Sequence, residues 1–197
     1  RGNGAPLVMI HCLGQSHRFW DVLEPMADRY ELISYSLPGH GDSPLPGHQY
    51  GVPELTHQLR AAAQREGLSK FHLMGISLGG SIAQHFAGTY PEMVDKLVLT
   101  DCTPRYIDEA RANWPVRAKA ARENGVASLI PMLMQIFFTQ ESRDANTADV
   151  QHVRSVFEAC SGEAYGLACE ALATVDAREE AKKIVAKTLI LLGSNER

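Results

Sequence analysis

Five short runs of β-branched and aliphatic residues punctuate the chain, at residues 7–11, 31–36, 71–75, 96–101 and 188–193. LVMI, KLVLT and TLILL are apolar at nearly every position rather than at alternate ones, the habit of strands covered on both faces of a parallel sheet. Between most of these runs the apolar residues shift to helical spacing. Residues 53–66 open on Pro53, suited to a first helical turn, set Leu55 and Leu59 four apart, and end before Gly67. Residues 77–89 form a second helix, stopped by Tyr90 and Pro91. Strand and helix in alternation predict an α/β fold with a doubly wound, mostly parallel sheet. After Pro104 the alternation ceases: residues 115–123, 126–138, 147–158, 163–175 and 178–185 all have helical patterning, and no strand returns until the fifth run. The expected organisation is an α/β core over residues 1–104 and 187–197, with residues 105–186 inserted as a helical cap over the strand ends.

Composition mainly excludes. A chain of 197 residues with 45% hydrophobic content has enough material for one sizeable core and no need of a second. The formal net charge is -4, with acids and bases interspersed, which argues against nucleic-acid or membrane-surface partners and for a small neutral or weakly acidic molecule. No apolar stretch approaches the roughly 18 residues of a membrane span, and no leader precedes the first strand, so a soluble protein is expected. Cys12, Cys102, Cys160 and Cys169 are scattered without CxxC spacing and fit reduced thiols of a cytoplasmic protein. His48 and His57 lack the HExxH spacing of a metal site, and no metal is expected there.

The chemistry concentrates in FHLMGISLGG, where a strand runs into a helix through Gly75-Ile76-Ser77-Leu78-Gly79. A serine at such a turn is thrust above the sheet as a nucleophile, flanked by small residues that let the two backbones pass. Leu78 then heads the helix, with its N–H aimed at a developing oxyanion. The same letters would also suit a serine that merely caps the helix. A second turn, VMIHCLGQS, follows the first strand, and Leu13 is its candidate for the other oxyanion N–H. His11 is expected to fix its loop rather than to move protons. The apolar residues Leu129, Leu133, Met134, Phe137 and Phe138 recur at helical spacing, more suggestive of core than of pocket wall.

Taken in order, HCLG, SLPGHGDS, GISLGG, KLVLTDCTP, a helical insert and TLILLGSNER resemble the α/β-hydrolase superfamily over essentially the whole chain. Trp114, the Phe137-Phe138-Thr139 triplet, Tyr165 and the stretch from Ala171 to Asp176 further resemble the cap of 3-oxoadipate enol-lactonases, although Ser36, Pro38 and Phe137 depart from that pattern. The resemblance implies a serine hydrolase that opens an unsaturated lactone of aromatic catabolism, the β-ketoadipate pathway, without a cofactor. It implies substrate contacts from Trp114 and Phe138, and a carboxylate-bearing substrate would draw on a cap arginine such as Arg111, Arg117 or Arg154. Ser77 further needs an acid and a histidine, in that chain order. The acid falls on Glu196, on Asp101, or on a residue after Arg197. No histidine after Ser77 is suitably placed, because His85 lies in the helix behind the serine and His152 in the cap. The resemblance therefore implies a fragment, cut at both ends and inactive alone, with TLILL as an exposed edge. A generic carboxylesterase and a non-catalytic ligand-binding relative remain alternatives; dehalogenation would need a carboxylate where Ser77 stands.

Overall fold

The computed structural model describes residues 1–195. Five strands form the sheet: β1 (Ala5–Ile10), β2 (Tyr30–Tyr35), β3 (Phe71–Ile76), β4 (Val94–Thr100) and β5 (Lys187–Leu191). They lie in the order β2-β1-β3-β4-β5 and every neighbouring pair is parallel. Parallel neighbours demand crossovers, and helices α1 (Val52–Arg65) and α2 (Leu78–Thr89) supply two of them. The strand order reverses between β1 and β3, which opens a crevice beyond their carboxyl ends.

Each central strand divides its side chains between two clusters. Val8, Ile10, Leu73 and Leu97 join α1 and α2 in the main core, whereas Leu7, Met9 and Leu32 pack around Trp20 on the opposite face. Trp20 belongs to a run of 3₁₀ turns over His17–Asp28, with Pro25 inside it. This run is what covers the second face of β1 and β2.

Six helices separate β4 from β5: α3 (Asp108–Asn124), α4 (Ile130–Phe137), α5 (Gln140–Asp144), α6 (Ala148–Ala159), α7 (Gly162–Thr174) and α8 (Arg178–Ala181). α3 starts earlier than residue 115, with Asp108 and Glu109 favouring its N-terminus, so that Pro115 falls inside it. The helix expected over 126–138 is divided into a 3₁₀ turn at Val126–Leu129 and α4, with Pro131 in the first turn of α4. α3 lies along α7, and α8 packs on α2. Tyr165, Leu172, Phe157 and Leu133 from this segment share one continuous apolar cluster with the sheet. β5 departs from the expectation of a strand covered on both faces: all five of its residues are exposed, Ile190 by 66%.

Candidate active site

β3 and α2 meet at Ser77, and the turn between them is tight enough to dictate composition. A Cβ on Gly75 would overlap the Gly79 carbonyl, and one on Gly79 would overlap the Ile10 carbonyl at the end of β1. Ser77 itself has φ 51° and ψ -116°, a backbone region that L residues rarely occupy. Its N–H donates to the Thr100 carbonyl at 3.0 Å, which ties the turn to β4. Its hydroxyl makes no capping bond to α2. The side chain instead lines a cavity of about 720 Å³ at the carboxyl ends of the strands.

The two expected oxyanion donors belong to neighbouring turns. Leu78 is the first residue of α2, where the N–H has no intrahelical acceptor, and Leu13 lies in the turn closed by the Gln15 N–H on the Cys12 carbonyl at 3.2 Å. Among the described residues neither N–H has a hydrogen-bond acceptor. The Leu13 turn is held from two sides. His11, fully buried, donates from Nδ1 to the Cys12 carbonyl at 2.8 Å and accepts the Leu37 N–H at Nε2, 3.0 Å away. Burial, with His40 adding to it, lowers the His11 pKa to about 3, so the ring stays neutral with both nitrogens occupied. From the other side, Gln15 Nε2 donates to the Val153 carbonyl of α6 at 3.2 Å. His40 is also buried, donates from Nδ1 to the Pro38 carbonyl, and has its pKa lowered by burial to about 4.

Asp101, at the end of β4, lines the cavity with φ 44°; its Oδ1 accepts the Gly193 N–H at 2.9 Å, and its own N–H donates to Leu191. Glu196 lies outside the described residues. Trp114 and Phe138 both line the cavity, as does Phe137, which stacks edge-on against Phe157, while Leu133 and Met134 are buried in the core. The cap arginines do not reach it. Arg111 donates from Nε to the Ala173 carbonyl at 2.8 Å, Arg117 stacks on Trp114 and bonds the Tyr165 hydroxyl, and Arg154 is exposed.

Several wall residues carry no signal in the sequence. Tyr106 lies edge-on to Trp114, with ring centroids 5.4 Å apart, and its phenol sits against Ser77; burial raises its pKa, with the serine contact working against that. Arg18, Phe19, Asp21 and Val22 come from the 3₁₀ run, and Asp149, His152 and Val153 from α6. His152 donates from Nε2 to the Arg18 carbonyl at 3.0 Å. Among the described residues no histidine is hydrogen-bonded to Ser77, and no group of three or more His, Cys, Asp or Glu side chains is placed to hold a metal ion.

A strained strand-to-helix serine thus lies beside unpartnered N–H groups at the reversal point of a parallel sheet. Residues 5–130 match the family model described as alpha/beta hydrolase fold, and the chain belongs to that family. It is 27% identical over 191 residues to 3-oxoadipate enol-lactonase 2 of Acinetobacter baylyi, covering 96% of this chain and 71% of the relative. The pimeloyl-[acyl-carrier protein] methyl ester esterase of Aeromonas hydrophila is 34% identical over 116 residues, 58% of this chain and 43% of that protein. Among solved structures, the enol-lactonase of Burkholderia xenovorans LB400 shares the fold with a TM-score of 0.92 at 24% identity, over 98% of this chain and 74% of that one. Among the described residues no helix is long and apolar enough to cross a membrane.

Proposed function

We propose that this chain is the core (residues 1–104 and 187–197) and helical cap (105–186) of a serine hydrolase that cleaves a carboxylic ester or lactone through an acyl-enzyme on Ser77. The observation that carries the reading is a serine hydroxyl that does not cap its helix, held at a strained turn and facing a cavity. Ser77 Oγ attacks the carbonyl carbon as its proton passes to a histidine base, and the carbonyl oxygen takes up negative charge beside the Leu78 and Leu13 N–H groups. Collapse expels the alcohol, or opens the lactone ring, and water then repeats the sequence on the acyl-enzyme. The acid that orients the base is assigned to Glu196 ahead of Asp101, whose carboxylate already accepts the Gly193 N–H. Four free cysteines support a reducing, cytoplasmic setting.

The likeness to the A. baylyi lactonase along both core and cap supports an enol-lactone as substrate. The carboxylates in the cavity wall favour a second reading, a carboxylesterase acting on uncharged esters. With no described histidine bonded to Ser77, the 197 residues alone are expected to turn over esters poorly, and a longer chain that brings a histidine to Ser77 to restore turnover. In that full-length protein, Ser77→Ala should lower ester turnover by ~10³-fold or more and abolish labelling by a fluorophosphonate probe, with the melting temperature not reduced. Turnover that survives Ser77→Ala would sink the proposal; labelling without turnover would mark a ligand-binding relative.

A further inference from the structure

The charge of the cavity wall does not match a substrate that carries a carboxylate. Among the described residues three carboxylates line it, Asp21, Asp101 and Asp149, against one guanidinium, Arg18, whose Nε already lies 3.7 Å from Asp21. With Arg18 paired to Asp21, neither Asp101 nor Asp149 has a cationic partner among the described residues, and Asp101 is met only by the Gly193 N–H. Much of the remaining surface is apolar, with Phe19, Val22, Ile136, Phe137 and Phe138 contributing. The arginines that could have supplied a fork from above do not line the cavity: Arg111 donates to a backbone carbonyl, and Arg117, whose buried Nε has no partner among the described residues, stacks on Trp114 and bonds the Tyr165 hydroxyl. An incoming carboxylate would lose water without gaining a bidentate donor, and would face like charge in a cleft whose apolar walls weaken screening.

We infer that this cavity selects uncharged esters and rejects those ending in a free carboxylate, an inference that rests on the ester-hydrolase reading and, within it, decides for a carboxylesterase against a carboxylate-bearing enol-lactone. Asp21 and Asp149, both exposed, act as an electrostatic filter at the rim. Asp101, less exposed and next in the chain to Thr100, whose carbonyl accepts the Ser77 N–H, extends the same field towards the reacting carbon. The apolar wall accommodates the hydrocarbon part of the ester.

The test uses the Ser77→Ala variant of the full-length protein, in which bound ester is not consumed. Two probes are titrated against tryptophan fluorescence, with Trp114 the reporter in the wall: the methyl half-ester of a six-carbon dicarboxylic acid, and the same molecule with its free acid converted to a primary amide. The amide should bind at least about fivefold more tightly at low ionic strength, where the screening length is about 30 Å, and the gap should shrink towards unity near 1 M salt, where that length is about 3 Å. Asp21→Asn combined with Asp149→Asn should narrow the gap at low salt. Equal or tighter binding of the acid, a gap that ignores both salt and the double substitution, or no binding of either probe would overturn the inference. Loss of the hydrolase reading shows separately, as turnover that persists in Ser77→Ala.

Discussion

Ser77 pays for its position with backbone strain. With φ 51° and ψ -116° it occupies a region that costs a non-glycine residue about 1 to 3 kcal/mol, whereas glycine enters it freely. Ser77→Gly should therefore raise the melting temperature by a few degrees while abolishing turnover, and Ser77→Ala, which keeps its Cβ, should show no comparable gain in calorimetry. His11 and His40 set a different residue-scale property. Burial holds both neutral in the folded protein, with pKa values lowered from 6.5 to about 3 and about 4, so an unfolded chain binds protons that the folded chain refuses. Stability is then full above pH 6.5 and is lost as pH falls towards 4, by up to ~1.4 kcal/mol per histidine for each pH unit. Thermal melts between pH 7 and pH 4.5 should record that slope, and His40→Asn, which can still donate to the Pro38 carbonyl, should flatten it.

Between β3 and α2 the limiting dimension is the approach of α2 to the end of β1. Gly79→Ala would drive a methyl group into the Ile10 carbonyl, and since backbone lies on both sides the helix must move away. A loss of more than about 2 kcal/mol in denaturant unfolding is expected, together with lost activity, because the same shift displaces the Leu78 N–H. This element was legible in the sequence because every requirement was local: an apolar strand, two glycines where no Cβ fits, and a serine between them. The strands were legible for a similar reason, as apolar runs bounded by turn residues. The helical segment was less so. Its helices showed in their periodicity, but Pro115 read as a helix start although α3 begins at Asp108, and the division at Val126–Leu129 escaped because Pro131 suits the first turn of a helix and gives little sign of a break before it. Least visible were Arg18, Asp21, Tyr106 and His152. They meet at the cavity only because the 3₁₀ run, the loop after β4 and α6 converge on the strand ends, and nothing in the neighbouring letters encodes that meeting.

At the scale of the molecule the two edges of the sheet differ. β2 lies beside the 3₁₀ run, whereas β5 presents Leu189, Ile190 and Leu191 on an exposed edge, followed by Leu192 at 70% exposure. Such an edge is a template for pairing with another chain. Ile190→Lys should reduce light scattering of the 197-residue chain at high concentration and change its unfolding free energy by less than about 0.5 kcal/mol, since little packing is removed. At the opposite side of the molecule, two bonds fasten α6 to the core: Gln15 to the Val153 carbonyl, and His152 to the Arg18 carbonyl. The first anchor point closes the Leu13 turn, and the second lies three residues after it. A swing of α6 would pull on the turn whose Leu13 N–H is proposed to receive the oxyanion, so the width of the doorway and the shape of that turn would change together.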